Sequence, residues 1–357
     1  MDQRVTGHVD GVVAGELSGW ALDPAAPDSP VVVDVLVDGR TAASSLAAWH
    51  RPDVGAARGT RGYHGFHVDL RRCAGSAARV RIEVRTSKGD ALGGSPVEAP
   101  VPSLPGPDAP ALVYMHIPKT AGCAFREALE GAFPRSNRFY AYRHDNFVAG
   151  DLSIWQLPRD QRNHLRFVAG HFPFGIHEAL PCAVDYFTIV RRPFDRVRSN
   201  YLHYVRTTPQ VVSAGGELRT LADLLERPPL PAFDNLMVRY FSGLGHRVDT
   251  YPPGTVDSDL FELAVRNMKR WFGLVGVQEH ADGALGAMRE RYGLAFTPSL
   301  PRSNVGHLAL TTHEERAARD AAAERERWDE RLVEEVARHY GPPQAPDRLP
   351  AGLHVGA

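Results

Sequence analysis

The feature that most constrains this 357-residue chain is the stretch from Ala111 to Ala132, ALVYMHIPKTAGCAFREALEGA. Ala111 to Ile117 is mostly apolar and predicts a buried strand. Pro118, Lys119, Thr120, Ala121 and Gly122 then predict a tight turn. From about Cys123 the spacing of Phe125, Leu129 and Phe133 is helical. A strand, a small-residue turn carrying a lysine and a helix N-terminus together form a device for holding an anion. The first N–H groups of a helix lack internal partners, and the helix dipole adds positive potential there. Lys119 contributes a full charge at the same point. An ordinary strand–turn–helix with a solvated lysine satisfies the same pattern, so a second signal is needed.

Composition narrows the field. Two domains are expected at this length. The 43% apolar and 23% charged content is that of a globular protein. A net charge of −1 argues against a nucleic-acid binder. No apolar run approaches a membrane span, and the first ten residues do not read as a signal peptide. Cys73, Cys123 and Cys182 are far apart and offer no metal site, which suits a reducing compartment. A cytoplasmic location without a membrane span is the expectation; the oligomeric state stays open.

Residues 1–95 have their own texture. Val31–Val37 is a β-branched run ending at Asp38-Gly39, a hairpin turn signal, and Arg79–Arg85 alternates strictly. These predict a small all-β sandwich acting as an accessory domain. Its Trp20, Trp49 and Tyr63 either fill the core or stack on sugar rings. Six prolines between Pro96 and Pro110 predict an extended linker over 96–110. From 111 to about 345, strands alternate with helices, which predicts an α/β domain with a mostly parallel sheet flanked by helices. Its expected elements include strands at Arg166–His171, Asp185–Val190 and Phe272–Val277. Expected helices run from Pro193 to about Val205, over Leu218–Glu226, Phe233–Phe241, Asp259–Trp271 and Ala281–Tyr292, and from a capping box at Thr312-x-x-Glu315 to Gly341. Ligands of such a sheet sit at the carboxyl ends of its strands, where Lys119, His171 and Arg191 fall.

The turn is not a Walker A loop, since G-x-x-x-x-G-K-[ST] is absent. His116-Ile117-Pro118-Lys119-Thr120-Ala121-Gly122 instead resembles the 5′-phosphosulfate loop of sulfotransferases that use 3′-phosphoadenosine 5′-phosphosulfate (PAPS). The carbohydrate branch containing the heparan-sulfate and uronyl 2-O-sulfotransferases and many bacterial proteins is the most similar. A second stretch, Ile189 to Tyr201, resembles the family's 3′-phosphate motif R-x-P-x-x-R-x-x-S-x-Y through Arg191, Pro193, Arg196, Ser199 and Tyr201. Together the matches span roughly residues 111–310 and imply a P-loop-like fold.

The resemblance implies specific roles. Pro118, Lys119, Thr120, Ala121, Gly122, Cys123 and Ala124 would hold the 5′-phosphosulfate, and Arg191 and Ser199 the 3′-phosphate, with the product adenosine 3′,5′-diphosphate (PAP) and no metal. A guanidinium grips phosphate in bidentate fashion and a hydroxyl donates to a remaining oxygen. His171, in Gly170-His171-Phe172, stands where this branch carries its catalytic base, and a neutral imidazole suits that task. Lys119 would stabilise charge on the leaving group. Pro301–Gly306, with Asn304, resembles a late loop that closes over the cofactor. Asn235 and Arg239, an i, i+4 pair, would meet an acidic sugar or serve as a cap and a surface arginine. One departure stands out: the family usually has Thr or Ser at Cys123 and Ala124. Each missing hydroxyl forgoes about 1.5–3 kcal/mol of charge-assisted hydrogen bonding. Two functions therefore stay open: transfer of a sulfuryl group to a carbohydrate or glycoconjugate hydroxyl, or a catalytically silent glycan- or nucleotide-binding protein that keeps the fold. A nucleotide kinase would need a Gly-Lys loop and a magnesium carboxylate, and the sequence presents neither.

Overall fold

The computed structural model describes residues 5–74, 76–102, 110–120, 125, 126, 129, 132–142, 153–245, 251–294 and 310–341. The first hundred residues form eight strands in two antiparallel sheets. β1 (Thr6–Val13), β2 (Glu16–Leu22), β6 (Tyr63–Asp69) and β5 (Trp49–His50) make one sheet in the order β1-β2-β6-β5. β4 (Arg40–Ala47), β3 (Val31–Val37), β7 (Ala77–Thr86) and β8 (Val97–Val101) make the other, in the order β4-β3-β7-β8. The sheets share one apolar core: Val9, Leu17, Phe66 and Val68 from the first meet Val33, Val35, Ile82 and Val84 from the second. Alternation puts those side chains on one face, as the period of a strand requires. The β3–β4 hairpin turns at Asp38 and Gly39, with φ of 48° and 80°. Positive φ at both central residues is the hairpin geometry that matches strand twist.

The expected linker over 96–110 is corrected at its start. Val97–Val101 is β8, paired antiparallel with β7. β8 is an edge strand, so exposed Pro100 leaves no ladder bond unmade there. Proline content alone had suggested an unpaired segment.

The remainder is built on a five-stranded sheet, β9 (Ala111–Met115), β10 (Arg138–Ala141), β11 (Phe167–Gly170), β12 (Val184–Val190) and β15 (Phe272–Val277), in the order β10-β11-β9-β12-β15. All four pairings are parallel. A two-residue pair, β13 (Ser213–Ala214) and β14 (Glu217–Leu218), stands apart. β9 is central and covered on both sides. Val113 and Met115 pack with Leu236, Phe241, Leu263, Met268 and Leu332 on one face, while Leu112 and Tyr114 pack with Phe125, Leu129, Leu285 and Met288 on the other. Helices therefore cover both faces of the sheet, the arrangement a parallel sheet demands.

Most expected helices occur. Pro193–Thr207 begins with its proline in the first turn. Ser258–Trp271 is capped by Asp257, and Ala281–Tyr292 matches its expected range. The segment near 218 starts as a helix only at Leu221, behind a Thr220–Asp223 capping box, and the one near 233 starts at Leu236. The last helix differs more. Its capping box is Thr311 with Glu314, and it breaks into Thr312–Arg325 and Arg327–Tyr340 at Glu326.

The sandwich is joined to the α/β layer through Arg72. This side chain is almost fully buried and bonds Asp69 within the sandwich at 3.1 Å. Its guanidinium also donates to the carbonyls of Cys182 at 2.7 Å, His177 at 3.0 Å and Leu180. Val32, Leu46 and Ala48, on the outer face of the second sheet, enter the core of the α/β layer. Among the described residues no helix is long and apolar enough to cross a membrane.

Candidate active site

Chain connections set where a ligand can sit. β9 is followed by chain that leads to β10 and β11 on one side, and β12 by chain that leads to β15 on the other. The crevice at such a reversal, at the carboxyl ends of the strands, is where parallel α/β sheets take ligands. Lys119 lies four residues past β9, Arg191 one residue past β12 and His171 one residue past β11.

The turn after β9 is tight. Lys119 has φ of 72°, a left-handed conformation that costs a residue with a Cβ about 1–2 kcal/mol. Buried Thr120 closes the turn by donating its hydroxyl to the Ile117 carbonyl at 2.8 Å. That bond uses the proton of the one hydroxyl in the loop. Pro118 is half-buried. Ala121, Gly122, Cys123 and Ala124 lie outside the described residues, as does Asn304.

Across the crevice, Arg191 Nη1 donates to the Lys119 backbone carbonyl at 3.1 Å. Burial pulls the Arg191 pKa down from its usual value, with Asp195 and Glu279 opposing. Among the described residues this is the hydrogen bond its guanidinium makes, which leaves further N–H donors for an anion. Ser199 is half-buried in the second turn of the Pro193–Thr207 helix. Arg196, between them, is fully buried and donates to the Ala232 carbonyl and to Glu326.

His171 is set by the strand it follows. Its N–H donates to the Ala141 carbonyl at 3.0 Å. Gly170 allows this, because a Cβ there would lie 2.6 Å from that of Ala141. His171 Nδ1 sits 2.8 Å from the His116 carbonyl. A carbonyl only accepts, so Nδ1 carries the proton and the lone pair of the neutral ring is on Nε2.

Sequence reasoning gave no role to two neighbours of this imidazole. The His116 ring lies 4.2 Å from that of His171, and its Nδ1 is 3.1 Å from the Tyr142 hydroxyl. Tyr142 meets His171 edge-on at 5.1 Å. Burial, helped by the charges of His171, Arg126 and Lys119, holds His116 well below the usual histidine range. The signal was present: His116 is a polar residue at the end of an otherwise apolar strand.

Asn235 and Arg239 differ from expectation. Both are buried, Arg239 completely. Arg239 bonds Asp234 at 3.3 Å and the carbonyls of Tyr251 and Pro252 at 3.0 and 2.6 Å. Asn235, at φ 48°, donates to the Arg325 carbonyl and accepts from Trp328 N–H. Their polar groups face the protein interior, so neither is presented to an acceptor sugar. Trp20, Trp49 and Tyr63 are half-buried; Trp49 stands edge-on to Trp155 and His67. Among the described residues no group of three or more His, Cys, Asp or Glu side chains is arranged to hold a metal ion.

No family profile matches the sequence, and no curated protein matches it. Among solved structures, a mouse sulfotransferase complexed with PAP is 16% identical, covering 64% of this chain and 90% of its own, with a TM-score of 0.35. A family 28 exopolygalacturonase of Yersinia enterocolitica is 10% identical over 53% of this chain and 27% of its own, at 0.16. A polysaccharide deacetylase from Bacillus cereus is 9% identical over 94% and 86%, at 0.18. At these scores the likenesses carry no argument, and function has to be read from the chain's own residues.

Proposed function

We propose that this chain is a PAPS-dependent O-sulfotransferase whose acceptor is a hydroxyl of a carbohydrate or glycoconjugate. The observation that supports it most is the hydrogen bond from Arg191 to the carbonyl of Lys119. It joins the two stretches that resemble the cofactor motifs, at the crevice between β9 and β12. The donor chemistry fits a nucleotide with two separate anionic groups: Lys119, Arg191 and Ser199 offer two cations and a hydroxyl on the segments that follow β9 and β12.

Bound PAPS supplies a sulfuryl group on a phosphate leaving group, and its transfer is in-line with a loose transition state, so the protein acts by positioning and charge stabilisation. In this reading the turn from Pro118 to Ala124 binds the 5′-phosphosulfate, and Lys119 offsets the charge that grows on the leaving oxygen. Arg191 and Ser199 grip the 3′-phosphate. His171 Nε2, its lone pair fixed by the Nδ1 hydrogen bond to the His116 carbonyl, takes the proton of the acceptor hydroxyl.

A second reading is favoured by Thr120, whose hydroxyl proton is spent on the Ile117 carbonyl and so does not replace the donors missing at Cys123 and Ala124. A silent protein that binds nucleotide or glycan without turnover follows from it. Incubation of the protein with sulfur-labelled PAPS and a panel of polysaccharides separates the two. Label on a polysaccharide supports the enzyme; PAP binding without transfer to any of them supports the silent protein.

A further inference from the structure

Five ionisable side chains, one of them on the Pro193–Thr207 helix, are buried together, and the proposed reaction uses none of them. Arg196, Glu326, Asp329 and Arg239 are fully buried and Asp234 is 1% exposed. Arg196 Nη1 donates to the Ala232 carbonyl at 3.1 Å, and Nη2 to Glu326 Oε2 at 3.1 Å. Asp329 Oδ2 lies 4.0 Å from Arg196 Nε. The Asp329 carboxylate accepts from the N–H groups of Met237 and Val238 at 3.0 and 2.8 Å, capping the Leu236–Ser242 helix. Glu326 Oε1 accepts from Asn235 N–H at 3.3 Å. That helix reaches the other half of the site, because the Tyr240 carbonyl accepts from Phe174 N–H, three residues past His171, at 2.8 Å.

The chain at and just past the break between the two C-terminal helices thus bonds both segments, Glu326 to Arg196 and Asp329 to the start of the Leu236–Ser242 helix. We propose that Arg196, Glu326 and Asp329 are positioning residues: the C-terminal helices hold the Pro193–Thr207 helix through Arg196, and with it Arg191 and Ser199, in the place that grips a phosphate. The proposal rests on the sulfotransferase reading. Arg196 is three residues before Ser199 on the same helix and five after Arg191, so the contacts that anchor Arg196 anchor the backbone that carries both.

A second property makes the joint testable. Burial first, then the charges of Asp329 and Asp234, push the Glu326 carboxyl up to about 8, against the pull of Arg196. The groups facing it are Arg196 from the Pro193–Thr207 helix, Asp234, Asn235 and Arg239 from the 231–242 segment, and Asp329 from the last helix. Glu326 and Asp329 therefore both hold a proton more tightly than free carboxyls do, burial being the chief cause. Loss of a proton from these adjacent carboxyls sets two carboxylates against each other beside the Arg196 guanidinium, and their repulsion strains the joint. Cofactor affinity is therefore highest below pH 8 and falls above it.

The test is calorimetric titration of the full chain with PAP from pH 6.5 to 9, in wild type, Glu326→Gln and Glu330→Gln. In wild type the Kd should rise about fivefold or more between pH 7 and pH 9. Glu326→Gln should hold the wild-type pH 7 value throughout, and Glu330→Gln should follow wild type. A Kd flat with pH in wild type overturns the proposal even if Glu326→Gln fails to fold, as does a Kd for Glu326→Gln that rises with pH as in wild type. PAP that binds at no pH overturns the sulfotransferase reading itself.

Discussion

Arg191 and Lys119, 72 residues apart in sequence, meet where the guanidinium of the first donates to the backbone carbonyl of the second. The bond reaches from the end of β12 to the turn after β9, and so fixes the spacing between the backbones that carry these two cations. It also helps to hold Lys119 in a backbone conformation that its side chain disfavours.

That strain separates stability from binding. Lys119→Gly removes the left-handed penalty and should raise unfolding free energy by about 1 kcal/mol, read by urea denaturation. The same variant loses the ammonium group and should bind PAP more weakly. A protein that is destabilised by the change, or that binds as before, contradicts the assignment.

His171 is expected to act on the acceptor and not on the nucleotide. His171→Ala should lower sulfuryl transfer by about 10²–10⁴-fold while PAP affinity stays within a factor of about three of wild type. The check is to measure turnover and nucleotide binding on the same preparation. Full turnover in this variant removes the base from the mechanism.

Acid should weaken the fold through two buried histidines. His116 and His177 are both held well below 6.5, chiefly by burial. Each binds its proton more readily unfolded, so its stabilising share is complete above pH 6.5 and is lost as pH falls below that value. His177 Nδ1 pairs with the Tyr186 hydroxyl at 2.9 Å inside the ring set of Phe174 and Trp271. Melting temperature should drop between pH 6.5 and pH 5, and less so in His177→Gln than in wild type. Equal slopes in the two proteins would exclude His177 as a source.

Arg72 should decide whether the sandwich and the α/β layer unfold as one. Arg72→Met leaves the carbonyls of Cys182, His177 and Leu180 without their donor and should cost about 3 kcal/mol. Calorimetry should then resolve two transitions where wild type has one. A single unshifted transition would mean that apolar contact at Val32, Leu46 and Ala48 suffices.

Much of the fold was legible because it rests on local pattern. The runs at Val31–Val37 and Phe272–Val277 are strands at their expected bounds, and the β-branched and apolar content of each makes that local. β10 carries no such pattern: Arg138-Phe139-Tyr140-Ala141 becomes a strand only by pairing with β11. The placement of Lys119, His171 and Arg191 just past the carboxyl ends of strands was legible, because each follows an apolar run. The site was not legible where burial is tertiary. Glu326 and Asp329 sit in a run of charges, ERERWDER, that reads as a solvated helix face; Arg196, 130 residues earlier, turns it inward. Asn235 and Arg239 misled for the same reason, since i, i+4 spacing carries no sign of which face is covered.

The central claim is that Lys119 and Arg191 form one nucleotide site, and a thermal shift with PAP on wild type, Lys119→Ala and Arg191→Ala tests it most directly. At a hundredfold excess over Kd, wild type should gain about 2.7 kcal/mol, a rise of about 2–4 °C for a chain of this size, and both variants should lose most of it. No shift in wild type at millimolar PAP, or an undiminished shift in either variant, would contradict the account.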